Sequence, residues 1–131
     1  EYLAASYLDM RWHLLTGAGA PDANAFEKAV LDSIGLIPEI VVRYRSPYFA
    51  HVFSGGYSAG YYSYIWSEVL DTDAFQAFKE KGIFDRTLAL SFRKNILETG
   101  GSADAMEMYL KFRGRGPSVE PLLQRRGLLV E

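Results

Sequence analysis

One histidine and four tyrosines lie within the 16 residues from His51 to Trp66. Tyr57, Tyr61 and Tyr64 follow the spacing i, i+4 and i+7, which predicts that their side chains share one face of a helix. A tyrosine hydroxyl has a reference pKa of about 10, so it stays protonated at neutral pH and can donate a hydrogen bond. The pattern therefore predicts a surface that presents hydrogen-bond donors to a ligand. Core aromatic residues with their hydroxyls at the surface are the alternative.

A glycine pair and an apolar helix face are the elements that must position these side chains. Gly55 and Gly56 predict a backbone hinge directly before Tyr57, because glycine adopts conformations that other residues avoid. The hinge leads into a predicted helix over residues 58–70. The broad apolar face of this helix is predicted to anchor it in the core and consists of Tyr62, Ile65, Trp66 and Val69.

The remaining hydrophobic periodicity predicts an all-α fold, with residues 1–131 as a single helical segment. Residues 36–50 are predicted to be irregular or short extended structure. The predicted N-caps of three helices are Asp22 or Asn24, Thr72 or Asp73, and Ser102, and the glycines Gly35 and Gly82 are predicted to end two helices. The other predicted helices cover residues 2–15, 22–33, 72–81, 85–98, 103–113 and 118–126. The predicted inward residues of the helix over 85–98 are Leu88, Phe92, Ile96 and Leu97.

Composition and charge argue against several kinds of partner and site. The net charge of −2 and the pI of about 5.7 give no electrostatic reason to expect nucleic acid or an anionic membrane as a partner. No apolar run approaches the roughly 18 residues that a membrane-spanning helix needs. The chain has no cysteine, which excludes thiol catalysis and Cys-based metal sites. The basic residues towards the end are predicted to be solvated helix ends: Lys111, Arg113, Arg115, Arg125 and Arg126.

Histidines are too few for a metal site. His13 and His51 lie 38 residues apart, and the sequence contains no H-E-x-x-H motif. Because a zinc site needs three or four ligands, we expect no zinc to be bound to this chain. The sequence begins at Glu1 and leads straight into an amphipathic helix. We therefore expect it to be a piece of a longer protein.

Several sequence blocks in a consistent order resemble one enzyme family. The chain resembles the C-terminal portion of the thimet-oligopeptidase family of zinc metallopeptidases, and two blocks favour its bacterial peptidyl-dipeptidase branch. The matching blocks are residues 8–13 (LDMRWH), 43–51 (RYRSPYFAH), 55–66 (GGYSAGYYSYIW), 92–93 (FR), 100–102 (GGS), 112–115 (FRGR) and 126–128 (RGL).

The resemblance implies a division of labour within a longer enzyme. Two histidines and a distal glutamate would hold zinc in the missing N-terminal part, which would be a partner of this segment. His51, Tyr57 and Tyr64 match the histidine and tyrosines with which the family contacts its substrate, and Tyr61 matches a further tyrosine of the same stretch. A tyrosine can donate a hydrogen bond to the oxyanion that forms during peptide hydrolysis.

Two arginines could recognise the end of a peptide. An enzyme that removes C-terminal dipeptides must bind a free carboxylate, and arginine binds carboxylates in a bidentate manner. Arg43 and Arg45 lie just before the tyrosine segment and are candidates for this role. A structural ion pair is the alternative.

The sequence thus predicts the substrate-binding segment of a zinc peptidase that cleaves short peptides and releases C-terminal dipeptides. We expect the segment alone to be inactive and able to self-associate through apolar surface that the missing part would cover. The expected compartment is the bacterial cytoplasm, with the periplasm as the alternative. A non-catalytic helical binding module with the family's shape is the rival hypothesis, which an upstream H-E-x-x-H motif would contradict.

Overall fold

The computed structural model describes residues 1–17 and 19–129. These residues form helices joined by turns and loops, with no β-strand among them, so the predicted all-α fold is confirmed. The chain divides into two compact units, of which the first ends at Ile65 and the second begins at Trp66. Within the described ranges, no helix combines the length and apolar character that crossing a membrane requires. The helices are α1 (Tyr2–His13), α2 (Ala23–Ser33), α3 (Ala50–Phe53), α4 (Ser63–Lys81), α5 (Arg86–Phe92), α6 (Ala105–Arg113) and α7 (Glu120–Arg125).

Local signals set the ends of α2, and its inner face joins the core of the first unit. The carboxylate of Asp22 accepts the N–H of Ala25 at 2.8 Å, which caps the first turn as predicted. Gly35 follows the helix with a φ of +68°, a left-handed conformation that favours glycine. The core of this unit consists of Ala5, Leu8, Val30, Phe49, Val52 and Tyr61, with Trp12, Phe26 and Tyr44 packed against it.

The segment between α2 and α3 is irregular, as predicted, apart from a single 3₁₀ turn at Ser46–Tyr48. Ser46 is held from two sides. Its N–H donates to the carboxylate of Glu27 at 2.6 Å, and its hydroxyl accepts the indole N–H of Trp12 at 2.9 Å. These bonds fix the chain just before α3, the short helix that carries His51.

The start of α4 differs from the predicted helix over residues 58–70. Residues 58–62 form turns, and the helix begins at Ser63. Ala59 has a φ of +52°, which is incompatible with a right-handed helix at this position. Tyr62 therefore lies before the helix and is 53% exposed. Its predicted place in the core is wrong, as is that of Trp66, which is 44% exposed, whereas Val69 is buried as predicted.

The predicted helix break near residue 72 is also wrong, because α4 continues without interruption to Lys81. Thr72 donates its hydroxyl proton to the carbonyl of Glu68, one turn earlier in the same helix, at 2.7 Å. The carboxylate of Asp73 is occupied by Tyr109, so neither residue caps a helix. Gly82 ends α4 as predicted, with a φ of +114°.

In the second unit, α5 passes directly into a π-helical turn at Arg93–Leu97. The core of this unit consists of Ala77, Leu88 and Phe112, with Ala74, Phe78, Phe92 and Ile96 packed against it. Leu97 is 64% exposed, so its predicted inward position is wrong. A π turn holds more residues than an α turn, which rotates the residue at its end away from the packed face.

The predicted cap of α6 is displaced by two residues. Asp104, not Ser102, accepts the N–H groups of Met106 and Glu107, at 2.9 and 3.0 Å. The hydroxyl of Ser102 donates to the carbonyl of Thr99 at 2.7 Å and is therefore already engaged. A carboxylate placed directly before the helix satisfies two N–H groups at once, which favours Asp104.

The arginines near the end of the chain form salt bridges, and all of them except Arg113 are also exposed, so the predicted solvation is wrong only for Arg113. Arg113 is only 9% exposed in its side chain and pairs with Glu80 at 3.1 Å. Arg115 pairs with Asp73 at 2.6 Å. Arg125 and Arg126 both pair with Glu68. The basic groups thus tie the second unit together.

Candidate functional site

The glycine pair shapes the loop that presents Tyr57. The N–H of Tyr57 donates to the carbonyl of His51 at 3.1 Å, which closes the loop after α3. Gly55 lies so close to α3 that a Cβ atom there would sit 2.9 Å from the His51 carbonyl oxygen. Gly56 has a φ of +81°, which other residues rarely adopt. Glycine is therefore required at both positions for the path of the backbone.

Turns, rather than a helix face, bring the three tyrosines together. The rings of Tyr57 and Tyr64 stack with their centroids 5.3 Å apart. The ring of Tyr61 lies 5.0 Å from that of Tyr64. His51 joins the cluster, with ring centroids 6.2 Å from Tyr57 and 5.9 Å from Tyr61. The predicted neighbourhood is confirmed, although the predicted helical geometry behind it is wrong.

Exposure separates the members of this cluster. Tyr57 and Tyr64 are each 38% exposed, and His51 is half-buried. Tyr61 is 5% exposed and belongs to the core of the first unit. Tyr57 and Tyr64 are therefore accessible to a ligand, while the buried ring of Tyr61 packs against the ring of Tyr64.

Tyr61 and Tyr64 have raised pKa values. The hydrogen bond with Tyr57 raises the pKa of Tyr64 to about 12, and partial desolvation adds to the rise. Burial raises the pKa of Tyr61. These hydroxyls stay neutral across the physiological range, so they act as hydrogen-bond donors and not as bases.

The two candidate arginines have different environments. The guanidinium of Arg45 forms a salt bridge with the carboxylate of Glu27, a residue that is 3% exposed. Arg43 is exposed, lies over the ring of Tyr44 at 5.5 Å and is in no salt bridge within the described part of the chain. Arg43 thus keeps its hydrogen-bonding capacity for a ligand, whereas Arg45 is engaged within the unit.

Comparison with known proteins places the chain in a family. The profile of Peptidase family M3 matches residues 1–128. The chain belongs to Peptidase family M3. This finding confirms the resemblance carried by the sequence blocks.

Relatives of this M3 chain are considerably longer. Dipeptidyl carboxypeptidase of Escherichia coli is 46% identical over 132 residues, which cover 99% of this chain and 19% of the relative. Oligopeptidase A of the same organism is 42% identical over 115 residues, which cover 82% of this chain and 16% of the relative. Saccharolysin of Saccharomyces cerevisiae is 36% identical over 61% of this chain and 11% of its own length. The chain therefore spans about a fifth, or less, of the curated relatives that it matches.

The described residues of this M3 segment do not fit a zinc site. They contain no group of three His, Cys, Asp or Glu side chains that could hold a metal ion. His13 lies against Asp9, with its Nδ1 atom 2.8 Å from a carboxylate oxygen, and His51 lies among aromatic rings. Neither histidine of these described residues therefore belongs to a set of three ligands, the number that a zinc ion needs from the protein.

Asp9 is a site component that the sequence analysis missed. Its carboxylate is fully buried and accepts the N–H groups of Ala59 and Tyr61, at 2.9 and 2.8 Å. One feature of the sequence could have indicated this role. Asp9 directly follows Leu8 on the inward face of α1, and both residues are fully buried. A charged group on a buried helix face needs hydrogen-bonding partners, so such a residue points to a polar contact elsewhere in the fold.

Proposed function

We propose that this chain is the substrate-binding segment of a zinc metallopeptidase that hydrolyses short peptides and releases C-terminal dipeptides. The observation that carries the proposal is the exposed, stacked pair of Tyr57 and Tyr64 beside His51. The named activities of the M3 relatives, dipeptidyl carboxypeptidase and oligopeptidase A, support a peptide substrate.

The tyrosines stabilise the charge that develops on the scissile carbonyl oxygen. A protonated phenol donates to this oxyanion more strongly than to the neutral carbonyl, which lowers the barrier. Tyr57 follows the glycine pair, and its ring stacks on that of Tyr64 in this structure. In the proposed mechanism the hydroxyl of Tyr57 leaves Tyr64 and turns to the oxyanion, while Tyr64 and His51 bind neighbouring backbone groups of the peptide. Tyr61 holds the ring of Tyr64 in place.

Arg43 is the proposed contact for the free C-terminal carboxylate. It is exposed and forms no salt bridge within the described residues. It lies beside the cluster, because Arg43 and Tyr61 line the same small cavity. Arg45 was an equal candidate from the sequence, but its salt bridge with Glu27 favours a structural role. Recognition of a free carboxylate is what distinguishes a dipeptidyl carboxypeptidase from an endopeptidase.

The rest of the enzyme completes the proposed active site. Zinc, which the sequence resemblance implies, would be held outside this chain, since the residues described here supply no ligand cluster. The chain alone is therefore proposed to be inactive. Its large exposed apolar residues include Leu3, Tyr7, Leu14 and Tyr62, which line an open cavity of about 410 Å³ in the first unit, and the missing part of the enzyme is the proposed partner for this surface.

Substitution of Tyr57 in the full-length enzyme tests the proposal. We expect Tyr57→Phe to lower kcat by roughly 10²–10³, the usual cost of removing one oxyanion donor, with a smaller change in KM. Steady-state hydrolysis of a short peptide measures both constants. Tyr62→Phe is the matched control, because Tyr62 is a neighbouring exposed tyrosine outside the ring cluster, and its kcat should stay close to the wild-type value. An unchanged kcat for Tyr57→Phe would refute the proposed function.

A further inference from the structure

The turn between Tyr57 and Tyr64 is fastened by a residue far away in the sequence. Asp9 of α1 has 0% exposure, and each of its carboxylate oxygens accepts one backbone N–H of this turn. Oδ1 lies 2.9 Å from the nitrogen of Ala59, and Oδ2 lies 2.8 Å from the nitrogen of Tyr61. The two amides flank Gly60, so the carboxylate spans the middle of the turn.

The turn has a conformation that needs such support. Ala59 has a φ of +52°, a left-handed conformation that is unfavourable for a residue with a Cβ atom. The N–H of Gly60 donates to the carbonyl of Tyr57 at 2.8 Å, and the N–H of Ser63 donates to the carbonyl of Gly60 at 3.0 Å. These local bonds close the turn, and the carboxylate of Asp9 hydrogen-bonds its main chain to α1.

The position of this turn determines where both exposed phenols lie. Tyr57 enters the turn and Tyr64 follows it, and their rings stack 5.3 Å apart. A buried carboxylate has a large desolvation cost unless it is fully hydrogen-bonded. The third contact of Asp9 is with His13, whose Nδ1 lies 2.8 Å from Oδ1. Two of its three side-chain contacts therefore serve the turn that carries the tyrosines.

We propose that Asp9 is a positioning residue for the peptidase reaction: it holds the turn over residues 58–61 so that the hydroxyls of Tyr57 and Tyr64 face the substrate together. This inference rests on the proposed function of Tyr57. Asp9 itself touches no reacting atom, and it acts through the backbone of the turn. Loss of one acceptor breaks one of the two hydrogen bonds that hold the turn. We therefore expect the ring of Tyr57 to lose its alignment with that of Tyr64, while the first unit stays folded.

A double-mutant cycle in the full-length enzyme tests the inference. Asn at position 9 keeps one carbonyl oxygen but turns an NH₂ group towards a backbone N–H. We expect Asp9→Asn to lower kcat roughly tenfold in the wild-type background and less than about twofold in the Tyr57→Phe background, because coupled residues are non-additive. The matched control is Asp73→Asn, the same change at the fully buried aspartate of the second unit. Its effect on kcat should be the same in both backgrounds.

Each outcome distinguishes the two proposals. If Tyr57→Phe lowers kcat but Asp9→Asn costs the same factor in both backgrounds, Asp9 is merely structural and the inference is overturned. If Tyr57→Phe itself has no effect, the proposed function fails, and the role of Asp9 fails with it. Should Asp9→Asn yield no folded enzyme, amide hydrogen exchange in the wild-type enzyme decides instead. Slow exchange at Ala59 and Tyr61 supports the contact, and exchange at the rate of an unstructured peptide contradicts it.

Discussion

Each of the two units contains an aspartate with 0% exposure, and the two side chains have different partners. Asp9 accepts two backbone N–H groups of a single turn. Asp73 accepts the hydroxyl of Tyr109 at 2.5 Å and the guanidinium of Arg115 at 2.6 Å, and Arg113 lies further away at 3.4 Å. The first carboxylate thus fixes the path of the main chain, whereas the second, on α4, binds side chains of α6 and of the segment after α6.

This difference has an electrostatic consequence in the second unit. Burial raises the pKa of Asp73, but the hydrogen bonds from Tyr109 and Arg115 and the charges of Arg113 and Arg115 outweigh it and hold the pKa below its usual value. Burial and the hydrogen bond to Asp73 raise the pKa of Tyr109. The network therefore depends on a charged carboxylate, and its loss should show as lost stability.

The arginines follow the same contrast. In the second unit most of them pair with carboxylates of that unit, as Arg113 does with Glu80 and Arg125 does with Glu68. In the first unit the exposed Arg43 has no such pair within the described residues. The arginines beside Glu68, Asp73 and Glu80 thus stabilise the fold of the second unit, while Arg43 is the cation of the first unit that lies beside the tyrosine cluster and is proposed to bind a ligand.

Among the substitutions that test this contrast between the two units, Asp73→Asn is expected to have the largest effect. Removing one partner of a buried ion pair leaves the charge of the other partner uncompensated. We expect the substitution to lower the free energy of unfolding by about 3 kcal/mol. This is the lower end of the usual range, because Arg113 still has its salt bridge with Glu80. Native-state hydrogen exchange of the α6 amides in the full-length enzyme measures this cost locally. The values of kcat and KM should stay near those of the wild type.

Glu80→Gln is the control for that experiment. Glu80 contacts the same Arg113, but its side chain is 49% exposed, and exposed ion pairs contribute only about 1 kcal/mol or less. A large loss of catalysis in Asp73→Asn without faster exchange in α6 would reverse the roles assigned to the two units.

The two aspartates also mark the limit of what the sequence could predict. Signals that act over a few residues were sufficient for the Asp22 cap and for the end of α4 at Gly82, because caps and glycine stops depend on neighbouring backbone. Asp73 looked like a helix cap because its partner Tyr109 lies 36 residues away. The partners of Asp9 lie 50 and 52 residues away, so nothing near Asp9 in the sequence indicated them.

The tyrosine cluster shows a prediction that was right for a partly wrong reason. Helical spacing placed Tyr57, Tyr61 and Tyr64 on one face, and their rings do lie together. A left-handed Ala59 produces this grouping through a turn, and no local pattern distinguishes that turn from the first turns of a helix. The burial of Tyr61 and the salt bridge of Arg45 likewise depend on contacts that only the folded unit provides.

A smaller effect is expected from the arginines of the first unit, and it would sharpen the contrast between free and engaged cations. Arg43→Ala should raise KM roughly tenfold for peptides with a free C-terminal carboxylate and leave C-terminally amidated peptides unaffected, because only the carboxylate loses its partner. Steady-state kinetics with a matched acid and amide pair of one peptide gives this ratio.

Arg45→Ala is the internal control for Arg43. Arg45 pairs with the buried Glu27, so its removal should lower thermal stability and change the acid and amide peptides equally. Equal effects of Arg43→Ala on both peptides would remove Arg43 from carboxylate recognition.

The smallest expected effect concerns pH and tests whether the charge on Asp73 stabilises the second unit. The pKa of Asp73 in the folded chain lies below its value of about 3.9 in the unfolded chain, so its stabilisation is fully present above the unfolded value. The stabilisation is lost as the pH falls through the lowered folded pKa, because the carboxyl group of Asp73 is then protonated in both the folded and the unfolded chain. The difference in α6 exchange free energy between wild type and Asp73→Asn should therefore stay constant down to pH about 4 and narrow below it, whereas other titrating groups cancel in that difference. If this free-energy difference stays constant or widens on acidification, the charge of Asp73 does not stabilise the second unit. Asp73 would then act through shape and hydrogen bonding alone and would resemble Asp9, although its partners include two arginines.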